Sequence, residues 1–161
     1  MSVLTGVWPA AELDPVQRMR ILVAAMPQAA FRECLIDAPF DAVWRVASDL
    51  ENGTAQWEKN VAALTILEQE DDRLAVEIRS PLGFRLRAQA ILRPGWCVMQ
   101  GRIFAVGMAA APEGDRTRFA HFEALRIPGT KVIRPLLRHR IHHEFESLER
   151  LVRRKPGSGI S

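Results

Sequence analysis

The sequence predicts an α+β fold: a curved antiparallel β-sheet of about seven strands wrapped around one long C-terminal α-helix. Three observations predict it. From Leu64 to Arg126, apolar and polar residues alternate in short runs separated by tight turns, the pattern of an antiparallel meander. Ile133, Leu137, Ile141, Phe145, Leu148 and Val152 step instead by three and four, which gives a helix with one strong apolar stripe. The chain has 161 residues, 48% of them hydrophobic, which suits one domain with a full core. A bent sheet cannot bury its concave face alone, and the terminal helix has the length and the stripe to cover it.

The elements follow in order. Asp14-Pro15 starts a helix, since Asp caps and Pro is tolerated at the first helical position. Val16, Met19, Leu22, Val23 and Met26 recur at helical spacing until Pro27. Residues 1–30 therefore read as an arm whose helix packs on its own domain or on a second copy of the chain, which leaves a homodimer open. Phe31–Ile36 reads as the first strand, and Asp37-Ala38-Pro39 breaks it, with Asp37 placed to cap the next helix. Phe40, Val43, Trp44 and Ala47 form the stripe of that helix. Asn52-Gly53 turns the chain into a second short helix around residues 54–60, which carries Trp57.

Strands follow around Leu64 and Ile66, over Leu74, Val76 and Ile78, and over Phe84, Leu86, Ala88 and Ala90, with turns at Asp71-Asp72 and Pro81-Leu82-Gly83. After Pro94-Gly95, an apolar stretch from Trp96 to Ala111 divides at Gly101-Arg102 into two strands. A hairpin at Pro112–Asp115 leads into the last strand, Thr117–Arg126. Pro128-Gly129 ends the sheet and the long helix runs over residues 131–154. The main domain thus covers residues 31–155, with a flexible Gly/Ser tail at 156–161.

Composition narrows the function classes. No apolar run reaches the ~18 residues of a membrane span. The net charge of +3 is diluted by 19 acidic residues, which argues against nucleic acid but admits weak contact with an anionic membrane surface. Cys34 and Cys97 make neither a disulfide framework nor a structural zinc site, and the first residues lack a secretory pattern. The expectation is a cytoplasmic protein.

Phe31–Ile36, the run Ala38-Pro39-Phe40-Asp41-Ala42-Val43-Trp44 and Asp49-Leu50-Glu51 resemble the opening of the START-like superfamily, and Pro112–Thr117 resembles the hairpin before its last strand. The chain departs from that pattern at Asn52-Gly53, where an aromatic residue is usual, and Trp57 comes one residue late. The resemblance covers about residues 31–154 and implies the helix-grip fold of the birch-pollen allergen, the lipid-transfer START domains and the polyketide cyclase/dehydrase group. It implies a cavity between sheet and helix that binds or transports a lipid, isoprenoid or polyketide-like molecule. The alternatives are a cyclase/dehydratase-type enzyme and a protein-interaction module acting through the N-terminal helix.

Within that frame, Trp44, Trp57, Leu86, Ala88, Met99, Phe104, Met108, Phe122, Leu137, Ile141 and Phe145 are the expected ligand-binding residues. The small residues Ala88, Ala90, Ala105, Gly107 and Ala109 would leave space facing the helix. His121 and Glu123 alternate along the last strand and share a face, so they are the candidate acid/base pair of the enzyme reading. Hydrophobicity favours Ala120, Phe122 and Ala124 as the inward set, which would leave His121 and Glu123 on the wet outer face. On the terminal helix, His139, His143 and Glu146 have metal-ligand spacing but lie opposite the apolar stripe, on the water side. No phosphate loop, dinucleotide fingerprint or metal motif appears, so neither cofactor nor metal is expected. Cys97 reads as buried and inert.

Overall fold

The computed structural model describes residues 12–128 and 130–154. In chain order they form α1 (Pro15–Ala24), β1 (Ala30–Ile36), α2 (Phe40–Ala47), α3 (Thr54–Trp57), β2 (Ala63–Glu70), β3 (Arg73–Arg79), β4 (Arg85–Arg93), β5 (Trp96–Gly101), β6 (Phe104–Glu113), β7 (Arg116–Leu125) and α4 (Thr130–Arg154). Residues 1–11, Gly129, the tail from residue 155 onward and the side chains of residues 130–134 and 137 lie outside the described residues.

All seven strands form one antiparallel sheet in the order β1-β7-β6-β5-β4-β3-β2. β2 to β7 are the meander that the alternating pattern predicts. β1 closes on the last strand, with Ala30 opposite Glu123 and Ile36 opposite Thr117. The Thr117 hydroxyl donates to the Ala38 carbonyl at 2.8 Å, which fixes the chain where it leaves β1.

Both faces of the sheet carry a core. On one, α4 lies against β1 and β7 and buries Ile141, Phe145, Leu148 and Val152 among Ile36, Val76 and Phe119. On the other, α1 covers β6 and β7 and buries Val16 and Met19 against Ala105, Ala109, Ala120, Phe122 and Ala124. The apolar stripe that would have served a second copy of the chain is spent on the chain's own sheet. α1 starts as its sequence predicts: Asp14 accepts from the Gln17 amide, and the Gln17 side chain accepts from the Asp14 amide. Arg20 holds it in place through a two-pronged pair with Glu33 of β1, which also faces Arg118 of β7 at 3.7 Å.

This second layer corrects the placement of the small residues. Ala88 and Ala90 belong to the core under α4. Ala105 and Ala109 instead lie under α1, and a Cβ on Gly107 would run into the Phe122 ring. Their size serves the close approach of α1 and Phe122, while Ala105 also borders a cavity on the α4 side and Gly107 a small inner space.

Two short-range expectations also change. The N-cap of α2 is Pro39, with no side-chain hydrogen bond, so Asp37 does not cap it. α3 is a single turn that stops at Trp57, because Glu58 takes an extended backbone (φ −97°, ψ 105°). The residues before it explain its position. Asp49 accepts from the Asn52 amide and side chain at 3.2 and 3.0 Å, shaping the turn at Asn52-Gly53. Glu51 accepts from the Ile66 amide at 2.9 Å, beside the β2 bulge. The two acids thereby set where Trp57 and Glu58 enter the core.

Candidate functional site: a buried acid–imidazole cluster beside a cavity

β7 supplies the first half of the site. Phe119, His121 and Glu123 point toward α4, whereas Ala120, Phe122 and Ala124 point toward α1. The assignment drawn from hydrophobicity is therefore reversed. Because both faces of β7 are covered, both alternating sets are dry, and apolar character does not tell the α4 face from the α1 face. Phe122, expected in the ligand-binding set, lies in the α1 layer.

His121 is 1% exposed and Glu123 is 8% exposed. The Nε2 atom of His121 stands 3.6 Å from a Glu123 oxygen and 3.6 Å from a Glu144 oxygen. Its ring meets the Trp57 indole edge-on, with centroids 5.5 Å apart. Glu144 comes from α4 and is fully buried, and Glu58 follows α3. One ligand atom each from Glu58, His121 and Glu123 lie within 4.8 Å of one another. Both ring nitrogens of His121, both oxygens of Glu144 and one oxygen of Glu123 have no hydrogen-bond partner among the described residues.

Burial disfavours the charged carboxylate, and it pushes the Glu144 carboxyl up to about 8, against the pull of His121. Glu58 is likewise pushed up to about 8, first by burial and then by the neighbouring Glu123 charge. Arg140 of α4 acts on both as an opposing positive charge, and its guanidinium donates to the Asn60 side chain.

A cavity of about 430 Å³ opens beside this cluster. Its apolar walls include Val61, Ile78, Leu82, Leu86, Ile103, Phe104 and Val106, and its polar groups include Glu58, Asn60, Glu123 and Arg140. Deeper in, Trp57, Glu58, Met99, Met108 and His121 surround a residual space of only about 20 Å³. A larger hollow of about 800 Å³ lies mainly on the sheet face away from α4, among Glu68, Glu70, Arg73, Gln89, Ile91, Val98 and Gln100. It lacks the convergence of buried ionisable groups, so the inner cavity is the better candidate despite its smaller size.

Of the expected ligand-binding residues, Leu86 and Phe104 line the cavity, while Trp57, Met99 and Met108 line the inner space. Ile141 and Phe145 fill the core under α4 without bordering either. Ala88 is in that same core and edges a separate surface depression of about 310 Å³. Trp44 stacks on Phe40 with ring centroids 6.3 Å apart, away from the cavity. Leu137 has its side chain outside the described residues. His139, His143 and Glu146 stay on the exposed side of α4, with His139 and His143 nitrogens 3.2 Å apart.

Glu58 and Glu144 are the members that the sequence patterns did not single out. Glu144 was legible: Ile141, Glu144, Phe145 and Leu148 occupy one helical face, so the stripe contains an acid. Glu58 carries no local signal, because its burial follows from where α3 ends.

No protein-family model matches the sequence, and no curated protein matches it significantly. Solved structures do share its architecture. A protein from Thermus thermophilus is 21% identical with a TM-score of 0.62, covering 80% of this chain and 99% of its own. The Zhui aromatase/cyclase from a Streptomyces species is 13% identical with a TM-score of 0.61, covering 83% of this chain and 98% of its own. A START superfamily protein from Mycobacterium smegmatis is 18% identical with a TM-score of 0.59, covering 80% of this chain and 99% of its own. At these identities the likeness concerns the fold. Among the described residues no helix is long and apolar enough to cross a membrane. A seven-stranded antiparallel sheet closed by a long C-terminal helix, aligned over most of its length with such structures, gives this chain the START-like, helix-grip fold.

Proposed function

We propose that this chain binds or transports a small, mainly apolar molecule of lipid, isoprenoid or polyketide-like character in the cavity between the sheet and α4. The observation that carries this reading is the cavity itself. Its volume of about 430 Å³ is that of a small-molecule site, and Val61, Ile78, Leu86, Phe104 and Val106 make much of its wall apolar. Glu58, Glu123 and Arg140 offer a polar end that orients a hydroxyl, carbonyl or carboxylate. The START superfamily protein that shares the fold supports the same reading. The free thiols Cys34 and Cys97 suit a reducing compartment, so we place the protein in the cytoplasm.

Displacement of a fluorescent fatty-acid probe tests the proposal. The wild type takes up one equivalent saturably, and Leu86→Trp, which fills the cavity, weakens binding by about tenfold or more at an unchanged melting temperature. Absence of saturable uptake, or indifference to Leu86→Trp, counts against the reading.

One observation favours an enzyme as the second reading: His121 and Glu123 face the interior instead of solvent. There they could move protons on a bound poly-β-keto substrate, in the manner of a cyclase or dehydratase. The fold is shared with an aromatase/cyclase. Turnover of such a substrate, abolished by His121→Ala while probe uptake persists, would establish this reading over simple carriage.

A further inference from the structure

We propose that Glu58, His121 and Glu123, joined by Glu144 through its place beside His121, bind one divalent first-row transition metal ion, of the zinc, iron(II) or manganese(II) class, at the inner end of the cavity. The proposal is independent of which small molecule the cavity holds.

Buried polar groups in folded proteins almost always have partners, and this cluster departs from that rule several times over within one small volume. His121 makes no hydrogen bond at either ring nitrogen, Glu144 none at either oxygen, and Glu123 none at one, although the imidazole stands 3.6 Å from both acids. Among the described residues, no Arg or Lys forms an ion pair with any of the three carboxylates. The segment after α3, β7 and α4 converge to place three acids and an imidazole together in the buried interior. A cation would satisfy these atoms at once.

The spacing suits one. Metal–ligand bonds of ~2.1 Å in a tetrahedron separate the donor atoms by roughly 3.4 Å. The His121 nitrogen is 3.6 Å from an oxygen of Glu123 and 3.6 Å from one of Glu144. The atoms of Glu58, His121 and Glu123 span no more than 4.8 Å, a gap that side-chain rotation closes. One imidazole with carboxylates selects zinc, iron or manganese over calcium and magnesium, which prefer oxygen-only shells. Three carboxylates and a divalent ion leave one negative charge, next to Arg140. Glu58 and Glu123 also line the open cavity, which supplies an access route and a face on which the ligand's polar end could meet the ion. The bound ion would take the lone pairs that the acid–base reading needs, so the two uses of His121 exclude each other.

The test uses the full chain, stripped with a chelator and titrated with zinc, manganese(II) and cobalt(II). The expected result is one tight equivalent, with cobalt(II) showing the strong ligand-field absorption of a low-coordinate, nitrogen-containing site. His121→Ala and Glu123→Gln weaken binding by about 100-fold or more, whereas the surface variant His139→Ala/His143→Ala leaves it unchanged. The cobalt spectrum of the wild type reports the site even if an interior variant fails to fold. Binding that is absent or weaker than millimolar overturns the proposal. So does binding lost with His139 and His143 but kept without His121.

Discussion

Glu144 sits on α4 in line with Ile141, Phe145 and Leu148, fully buried, with neither oxygen hydrogen-bonded and, among the described residues, only the His121 ring facing it at 3.6 Å. A carboxylate in that position costs stability, and natural chains keep such residues where function requires them. Replacing it with the similarly sized Leu should stabilise the chelator-treated protein by about 1–3 kcal/mol, measured by urea unfolding, while removing cation binding. An equal or lower stability would mean that Glu144 has a partner in solution. The cysteines give a second expectation at this scale. Burial pushes the Cys97 thiol up to about 12, and Cys34 likewise up to about 12. Both therefore stay protonated in the folded state above the unfolded thiol value of about 8.5. Stability contributed by the protonated thiols is lost as pH rises above that value, because the unfolded chain releases protons that the folded chain keeps. Alkylation by iodoacetamide at a pH of about 8.5 should accordingly be slow for both and become fast only on unfolding; rapid labelling of the native protein would refute this. At this scale the sequence told the character of Cys97 and the shared face of His121 and Glu123. It did not tell which face, since that depends on what covers the sheet.

α1 decides that question at the scale of elements. Its stripe, its Asp14 cap and its Pro27 stop are all written in local spacing, and it forms over Pro15–Ala24 accordingly. Where it docks is not local: the helix was equally compatible with a second copy of the chain. By lying over β6 and β7 it turns a face expected to be wet into a second core, and so inverts the reading of β7. Met19 is the fully buried anchor of this layer. Met19→Ala should cost about 2–5 kcal/mol in urea unfolding, with the chain's mass in solution unchanged. A cost below about 0.5 kcal/mol would show that α1 is not held on the sheet.

For the whole molecule, turn signals and a change of period made the meander and the terminal helix readable residue by residue. The pairing of β1 with β7 was not, because no local pattern reports a partner at the far end of the sheet-forming sequence, and the resemblance implied the helix-grip fold without that register. The cavity belongs to this scale too. Its walls come from β3, β4, β6, β7, the turn after α3 and α4, so no single segment announces it. The most direct measurement is an NMR titration of the isotope-labelled full chain with an apolar fluorescent fatty acid, following methyl and amide shifts. Saturable changes should fall on Val61, Ile78, Leu86 and Val106, with the far-face residues Gln89, Ile91 and Val98 unmoved. Changes confined to that far face, with the walls under α4 silent, would contradict a ligand site between sheet and helix.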